Sequence, residues 1–529
     1  MPKPSMPNAS NYSMGRLLLH RIPVRIRHYW KLLVACVALP VVLTLVFSTV
    51  RVHPYVTSVS DESGDTVTQD IAGSTDLFDA SRGHSIKVTF NDVNYQTMLD
   101  TYYAEGEKEY VEADLTVDGT TIPSVGIRLK GNSTLAGLTR NGKAREGGLG
   151  PGGGPGGGAP RGARPEGAGP GGGPGGGPGG GFARASLKAE EPETLPWLIR
   201  FDEFVEGRRY QGHREIAVRV AGMGGGSTVL NEALSLTLLA AAGEVAQRYA
   251  YSSFTVNGRP TTARLVVEHP DEHFADDMRG SGVLYKSLAT GQFTDQGDDP
   301  TDYADDFKQI TKRGSQDLQP VIDLVRWVNN SSDAEFDRQL GDHVDVASFA
   351  RYTATQNLLL NFDDMAGPGR NFYLWYDLGT KKFSVIGWDY NLTFSGDAEQ
   401  GPHDSTSMGG PFPGAGQAPE GMQLPPTDAD EEGAGRPGRG FGRMGGNKLK
   451  ERYLASSAHQ KGYEDAFREL YAQLYGNNKA LTTLDGITKV LATVDGYNAA
   501  TTANDAQQLR TLIQQRTTSL ANNEVIKGR

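Results

Sequence analysis

Between Lys31 and Arg51 the chain carries no charge: the run LLVACVALPVVLTLVFSTV, Leu32 to Val50, is apolar all round. At ~1.5 Å of rise per residue, a helix of roughly 19 residues crosses the ~30 Å hydrocarbon layer of a bilayer. Pro40 is tolerated in such a helix. Lys3, Arg16, Arg21, Arg25, Arg27 and Lys31 precede the run, and no acidic residue occurs before Asp61. The positive-inside bias then keeps the N-terminus in the cytoplasm. A cleaved signal is the rival reading, but its apolar region is about 7–15 residues long and ends in a small-residue cleavage site, which is missing here. The expected placement is a single-pass anchor in the cell membrane, with a large C-terminal part outside the cytoplasm.

The only cysteine, Cys36, falls inside that run, so no disulfide can brace the exterior part. A net charge of -11 argues against nucleic acid as a partner. After a basic tail (1–31), the span (32–50) and a polar stalk (51–84), the segments SIKVTF, YVEADLTV and SVGIRLKG alternate as strands do. Asp118-Gly119 and Asn257-Gly258 mark hairpin turns. Gly/Pro-rich tracts at 147–181 and 409–446 read as insertions that cannot order themselves by burial. The polyglycine matches to G-x-G-x-x-G arise from composition, because no strand leads into them. Val229 to Ala242 reads as a helix stopped at Gly243, and helical texture dominates toward the C-terminus. The expected class is α+β: a β-rich N-lobe (85–267) and a mainly helical C-lobe (268–529) with a cleft between them.

Chemistry concentrates in NFDDMAGPGRNFYLWYDLGTKKFSVIGWDYNLTF, Asn361 to Phe394. A helix end, a Gly-Pro-Gly loop and two strands would bring Asp363, Asp364, Asn371 and Asp389 to one hairpin mouth. Carboxylates and amide oxygens are hard ligands suited to Mg²⁺. An Asp, then an Asn, then a later Asp is the order in which protein kinases supply a base and metal ligands. The same spacing also suits a turn capped by Asp363 and Asp364, with Asn371 satisfying the loop. Neither a zinc pattern nor a serine or cysteine nucleophile stands out: His269 and His273 are spaced i, i+4, but a proline follows the first.

At these residues the sequence resembles the spore coat protein H (CotH) family of atypical kinases. The shared features are VGIRLKGNST at 125–134, YQGHREIAV at 210–218, LSLTLLAAAG at 234–243, FTVNG followed by LVVEHPDEHF at 254–274, GVLYK ending at Lys286, and the 361–394 stretch. They run in family order over roughly 85–525. The resemblance implies a two-lobed, atypical protein-kinase-like fold that moves the γ-phosphate of ATP, with Mg²⁺ or Mn²⁺, to a hydroxyl on an envelope or secreted protein. It implies Asp363 as catalytic base and Asp389 as principal metal ligand, with Asn371 assisting. Asn391 stands where relatives carry a second acidic residue, and it keeps an oxygen but loses a charge.

For the nucleotide-binding cation, Arg200 and Arg214 stand in strands where relatives often have lysine, and Lys130 in LKGNST is the lysine candidate. Glu232 is positioned on the helix to pair with that cation, or to face solvent. Glu268 is a candidate adenine-ribose contact, and Lys286 is either a site residue or a surface lysine. The alternative function is a surface scaffold that keeps the fold without catalysis.

Overall fold

The computed structural model describes residue 31 and residues 66–131, 134–145, 187–220, 228–278, 280–404 and 446–528. The apolar run 32–50 and the Gly/Pro-rich tracts, apart from Gly446, lie outside these residues. Among the described residues no helix is long and apolar enough to cross a membrane. Everything below concerns the unit Val56–Arg529.

Seven strands close into a barrel: β1 (His84–Phe90), β2 (Val111–Val117), β3 (Thr120–Leu129), β4 (Trp197–Arg200), β5 (Glu215–Val218), β6 (Tyr249–Val256) and β7 (Thr262–Glu268). Their spatial order is β5-β7-β6-β1-β2-β3-β4, closed by antiparallel pairing of β4 with β5. A second sheet has the order β9-β8-β10-β11, from β8 (Gly282–Ser287), β9 (Phe307–Gln309), β10 (Phe372–Asp377) and β11 (Phe383–Gly387). Nine helices frame these sheets among the described residues: α1 (Asp92–Glu105), α2 (Leu230–Ala241), α3 (Gln319–Asn330), α4 (Asp333–His343), α5 (Val346–Leu358), α6 (Lys448–Ala455), α7 (Ser457–Tyr471), α8 (Lys479–Leu491) and α9 (Ala499–Ala521), besides shorter helical turns. The content is α+β.

Asp118 and Gly119 adopt φ of 45° and 86°, the left-handed pair that a tight hairpin between β2 and β3 requires. Asp118 does more than turn the chain. Its carboxylate accepts from the Ser85 amide (2.8 Å), the Thr75 hydroxyl (2.7 Å) and His84 Nδ1 (2.7 Å), which ties the turn to β1 and to the segment before it. Asp118→Ala therefore loses three bonds and places Ala in a left-handed turn. Denaturant unfolding should show a loss of about 2–4 kcal/mol, and Asp118→Asn should lose less; an unchanged midpoint for the alanine variant would contradict this role.

Period-two alternation sorts the barrel strands into two faces. Ile127, Leu129, Trp197, Ile199, Ile216, Val218 and Val266 point inward to the barrel core. Tyr249, Tyr251, Leu265 and Val267 point outward into a second core, shared with α2, the second sheet and the helices that follow. The division expected at residue 267 is thus not where the cores part, because α2 belongs with the later helices. The expected stalk (51–84) also changes character within its length. Gln69–Ile71 pairs in parallel with Arg208–Tyr210, and Leu77 and Phe78 are buried, because the apolar pair finds the barrel core.

Candidate functional site

Helix α5 ends where Leu360 takes φ of 50°, and the chain then turns back through Gly367-Pro368-Gly369. Gly367 is required by close approach of backbone, and Gly369 leaves room for the side chains it faces. A Cβ on Gly367 would lie 2.4 Å from Asp363 Cα, and one on Gly369 would lie 2.6 Å from Asp363 Oδ2. The loop wraps the Asp363 carboxylate, which accepts from the Gly369 amide (2.5 Å) and from Asn371 Nδ2 (2.9 Å). Behind it, the Asp363 amide donates to Asn361 Oδ1, and Asn361 Nδ2 donates to Gln356 on α5. Burial pushes Asp363 up to about 6; the Gly369 amide and Asn371 oppose this, while the charges of Asp389 and Asp364 add to it.

Asn371 opens β10, and its carbonyl accepts from the Trp388 amide (3.2 Å), so Asp389 follows directly beyond the β10–β11 hairpin. At φ of 59° Asp389 sits in the left-handed region, which Asp tolerates better than most residues. Its carboxylate lies 3.0 Å from Arg219 Nη1. The other arm of the same guanidinium, Nη2, donates to Glu232 at 2.5 Å. Burial works against the charge on Arg219, but Asp389 and Glu232 outweigh it and keep the guanidinium firmly protonated. Glu232 is 1% exposed on α2, and burial pushes its carboxyl up against the pull of Arg219.

Trp388 gathers three cations. Arg219, Lys130 and Lys286 lie 5.0, 5.2 and 5.7 Å from its ring centroid. An indole face attracts cations through its quadrupole, worth about 0.5–2 kcal/mol each. Among the described residues neither lysine makes an ion pair with a carboxylate. Burial and the neighbouring charges of Lys286 and Arg219 hold Lys130 well below the usual range, and burial and Lys308 bring Lys286 down to about 8. Such a group of half-desolvated cations is poised for an anion.

A small cavity of about 40 Å³ lies here, lined by Lys130, Gly131, Thr134, Arg219, Asp389 and Asn391, among others. A larger cavity, about 720 Å³, lies elsewhere, between α2, α5 and β11. Three of its four acids are already committed: Glu244 to Arg351, Asp345 to capping α5, and Asp377 to its own turn, which leaves Asp277. We therefore place the chemistry at the charged cluster.

Of the residues expected from sequence, the structure brings together Asp363, Asn371, Asp389, Asn391, Glu232 and Lys130. Two lie apart. Arg214 donates to Asp202 (2.7 Å) and reaches Glu272 (3.4 Å), and Arg200 also pairs with Asp202 (2.6 Å). Glu268 turns toward the Arg248 amide (2.9 Å) and His213. Arg219 was not singled out, although a signal exists: in Ile216-Ala217-Val218-Arg219 a basic residue ends a β strand two positions after alanine, as in the V-A-I-K strand of kinases.

A metal fits the donor set only in part. Asp389 Oδ1 is buried with the Arg219 guanidinium 3.0 Å away as its ion-pair partner, and Asn371 has spent its amide nitrogen on Asp363, leaving its oxygen to coordinate. Among the described residues no three His, Cys, Asp or Glu side chains form a self-sufficient metal site. A Mg²⁺ ion would accordingly rest on one or two protein oxygens and on its ligand's phosphates.

Residues 183–520 match the family model described as CotH kinase protein. Among curated proteins, the inner spore coat protein H of Bacillus subtilis (strain 168) is 23% identical over 207 residues, covering 37% of this chain and 54% of that relative. The chain thus spans about half the length of the curated relative it matches.

Proposed function

The chain belongs to the CotH kinase protein family, and from that premise we propose that it is a two-lobed, kinase-like phosphotransferase that moves the γ-phosphate of ATP to a hydroxyl on an envelope or secreted protein. One observation carries the reading: Arg219, at the end of a barrel strand, is clasped between Glu232 on α2 and Asp389 beyond the hairpin. A strand cation paired with a helix glutamate beside a metal-binding Asp is the arrangement that kinases use to hold phosphates.

In this reading Asp363 accepts the hydroxyl proton, and its raised pKa suits a base working near neutral pH. Arg219, Lys130 and Lys286 neutralise phosphate oxygens. Asp389, Asn371 and Asn391 would hold Mg²⁺ or Mn²⁺, which supplies charge neutralisation at the β- and γ-phosphates. A nucleotide needs several hundred Å³, so its entry displaces Lys130 and Lys286 from the Trp388 ring. Display outside the cytoplasm by the 32–50 run belongs to the same proposal. Arginine in place of lysine at 219 favours a second reading, a binding scaffold without turnover, since the two cations are not interchangeable at a phosphate site.

Thermal unfolding with ATP and Mg²⁺ separates the two. The kinase reading expects a metal-dependent rise in midpoint, about 2.7 kcal/mol of stabilisation at a hundredfold excess over Kd, lost in Asp389→Ala. No shift at millimolar ATP supports the scaffold instead.

A further inference from the structure

Asp364 neighbours the proposed base, is 2% exposed, and has no part in the chemistry described above. One of its oxygens accepts from the Ala366 amide (2.8 Å), and the other bonds the ammonium of Lys450. Lys450 lies 86 residues further along the chain, in the first turn of α6. That turn is capped by Asn447, 1% exposed, whose side chain accepts from the Leu449 and Lys450 amides. Just before it, the Gly446 amide donates to the Ala366 carbonyl at 2.9 Å. Residues 446 and 450 therefore grip the 361–371 loop at 366 and 364, beside Asp363.

Helix α6 is itself anchored. Arg452 donates to the Val328 carbonyl (2.6 Å) and pairs with Asp333 (2.9 Å), Lys448 reaches the Asn329 carbonyl (3.2 Å), and Leu449 and Tyr453 are buried. The start of α6 thus connects the α3–α4 corner rigidly to the loop that carries Asp363.

We propose that Lys450 is a positioning residue: acting through Asp364, it holds the Asp363 loop in the geometry that phosphoryl transfer requires. The inference rests on the kinase reading above for its effect on rate. A buried ion pair contributes little net stability against an apolar pair, but losing one partner leaves a charge that the site cannot satisfy. Without Lys450 the Asp364 carboxylate must move toward water. It takes Ala366 and the adjoining turn with it, and a displacement of ~1 Å at a reacting group lowers rate by ~10²-fold.

The test uses the full chain and three variants: Lys450→Met, Lys450→Arg and the double change Asp364→Asn with Lys450→Met. Transfer kinetics and amide hydrogen exchange of the 361–371 peptides are both measured. Lys450→Met should lower kcat by about 10²-fold, leave the KM for ATP within about twofold, and speed exchange in 361–371. Lys450→Arg should stay near the parent, and the uncharged double variant should recover most of the loss. Unchanged kcat and exchange in Lys450→Met overturn the proposal, as does a loss confined to KM or a loosening spread over the whole chain. If the parent chain transfers no phosphate, the kinase reading fails, while the exchange data still decide whether Lys450 holds the loop.

Discussion

Asp363→Asn is expected to lower phosphoryl transfer by about 10³-fold, within the range general-base groups contribute, while the stabilisation by ATP and Mg²⁺ persists. The side chain changes by one atom: the Gly369 amide keeps a carbonyl oxygen to bond, and the new amide nitrogen can donate to Asn371 once that side-chain amide turns its oxygen inward, so the loop keeps both contacts. What disappears is the carboxylate that would take the hydroxyl proton. Nucleotide binding rests on Arg219, Lys130 and Asp389 instead, so binding and turnover should separate. A variant that retains a rate within threefold of the parent would remove Asp363 from the chemistry. One that loses the thermal shift as well would make it a structural residue.

The second large effect should come from Arg219→Ala. Arg219 is 8% exposed, and its guanidinium serves two carboxylates and an indole at once. Removing it leaves Glu232 buried in the second core without a cation, a situation that costs about 3–5 kcal/mol. The melting midpoint should fall sharply, and the response to ATP should vanish with it. Arg219→Lys keeps the charge but not the fork that reaches both acids, so it should fall between. If Glu232→Gln in the alanine background restores the midpoint but not the response to ATP, stability and phosphate binding are separate duties of one side chain. A midpoint unaffected by Arg219→Ala would show that the clasp contributes nothing.

These two residues also mark what could be read from the sequence. Asp363, Asn371 and Asp389 lie within one stretch of helix end, loop and hairpin, where each element is announced locally by Gly367, Pro368 and Gly369 and by alternating aromatics. Helix α2 and the Asp118-Gly119 turn were legible for the same reason. Arg219 was harder: Arg200, Arg214 and Arg219 all sit in or next to barrel strands, and only the barrel's register decides which one meets α2. Lys450 was beyond reach, since no local pattern couples it to Asp364 across a low-complexity tract. Barrel closure was equally hidden. It depends on β1 pairing in parallel with β6, Ser252 opposite His84, a contact that no turn signal foretells.

That closure has a consequence for how such a chain survives where disulfides cannot help it. A sheet edge is an open row of amides and carbonyls on which another copy can template itself. The barrel leaves none, because its seventh pairing consumes the last free ladder. The four-stranded sheet keeps two edges, and both are blunted. β9 is three residues long with an exposed lysine, Lys308, at its centre, and β11 is covered at Phe383 by a bridge to Val344. In the barrel and the four-stranded sheet, strand order thus limits the edges open to templating, and a longer or uncharged β9 would be the first place for that protection to fail.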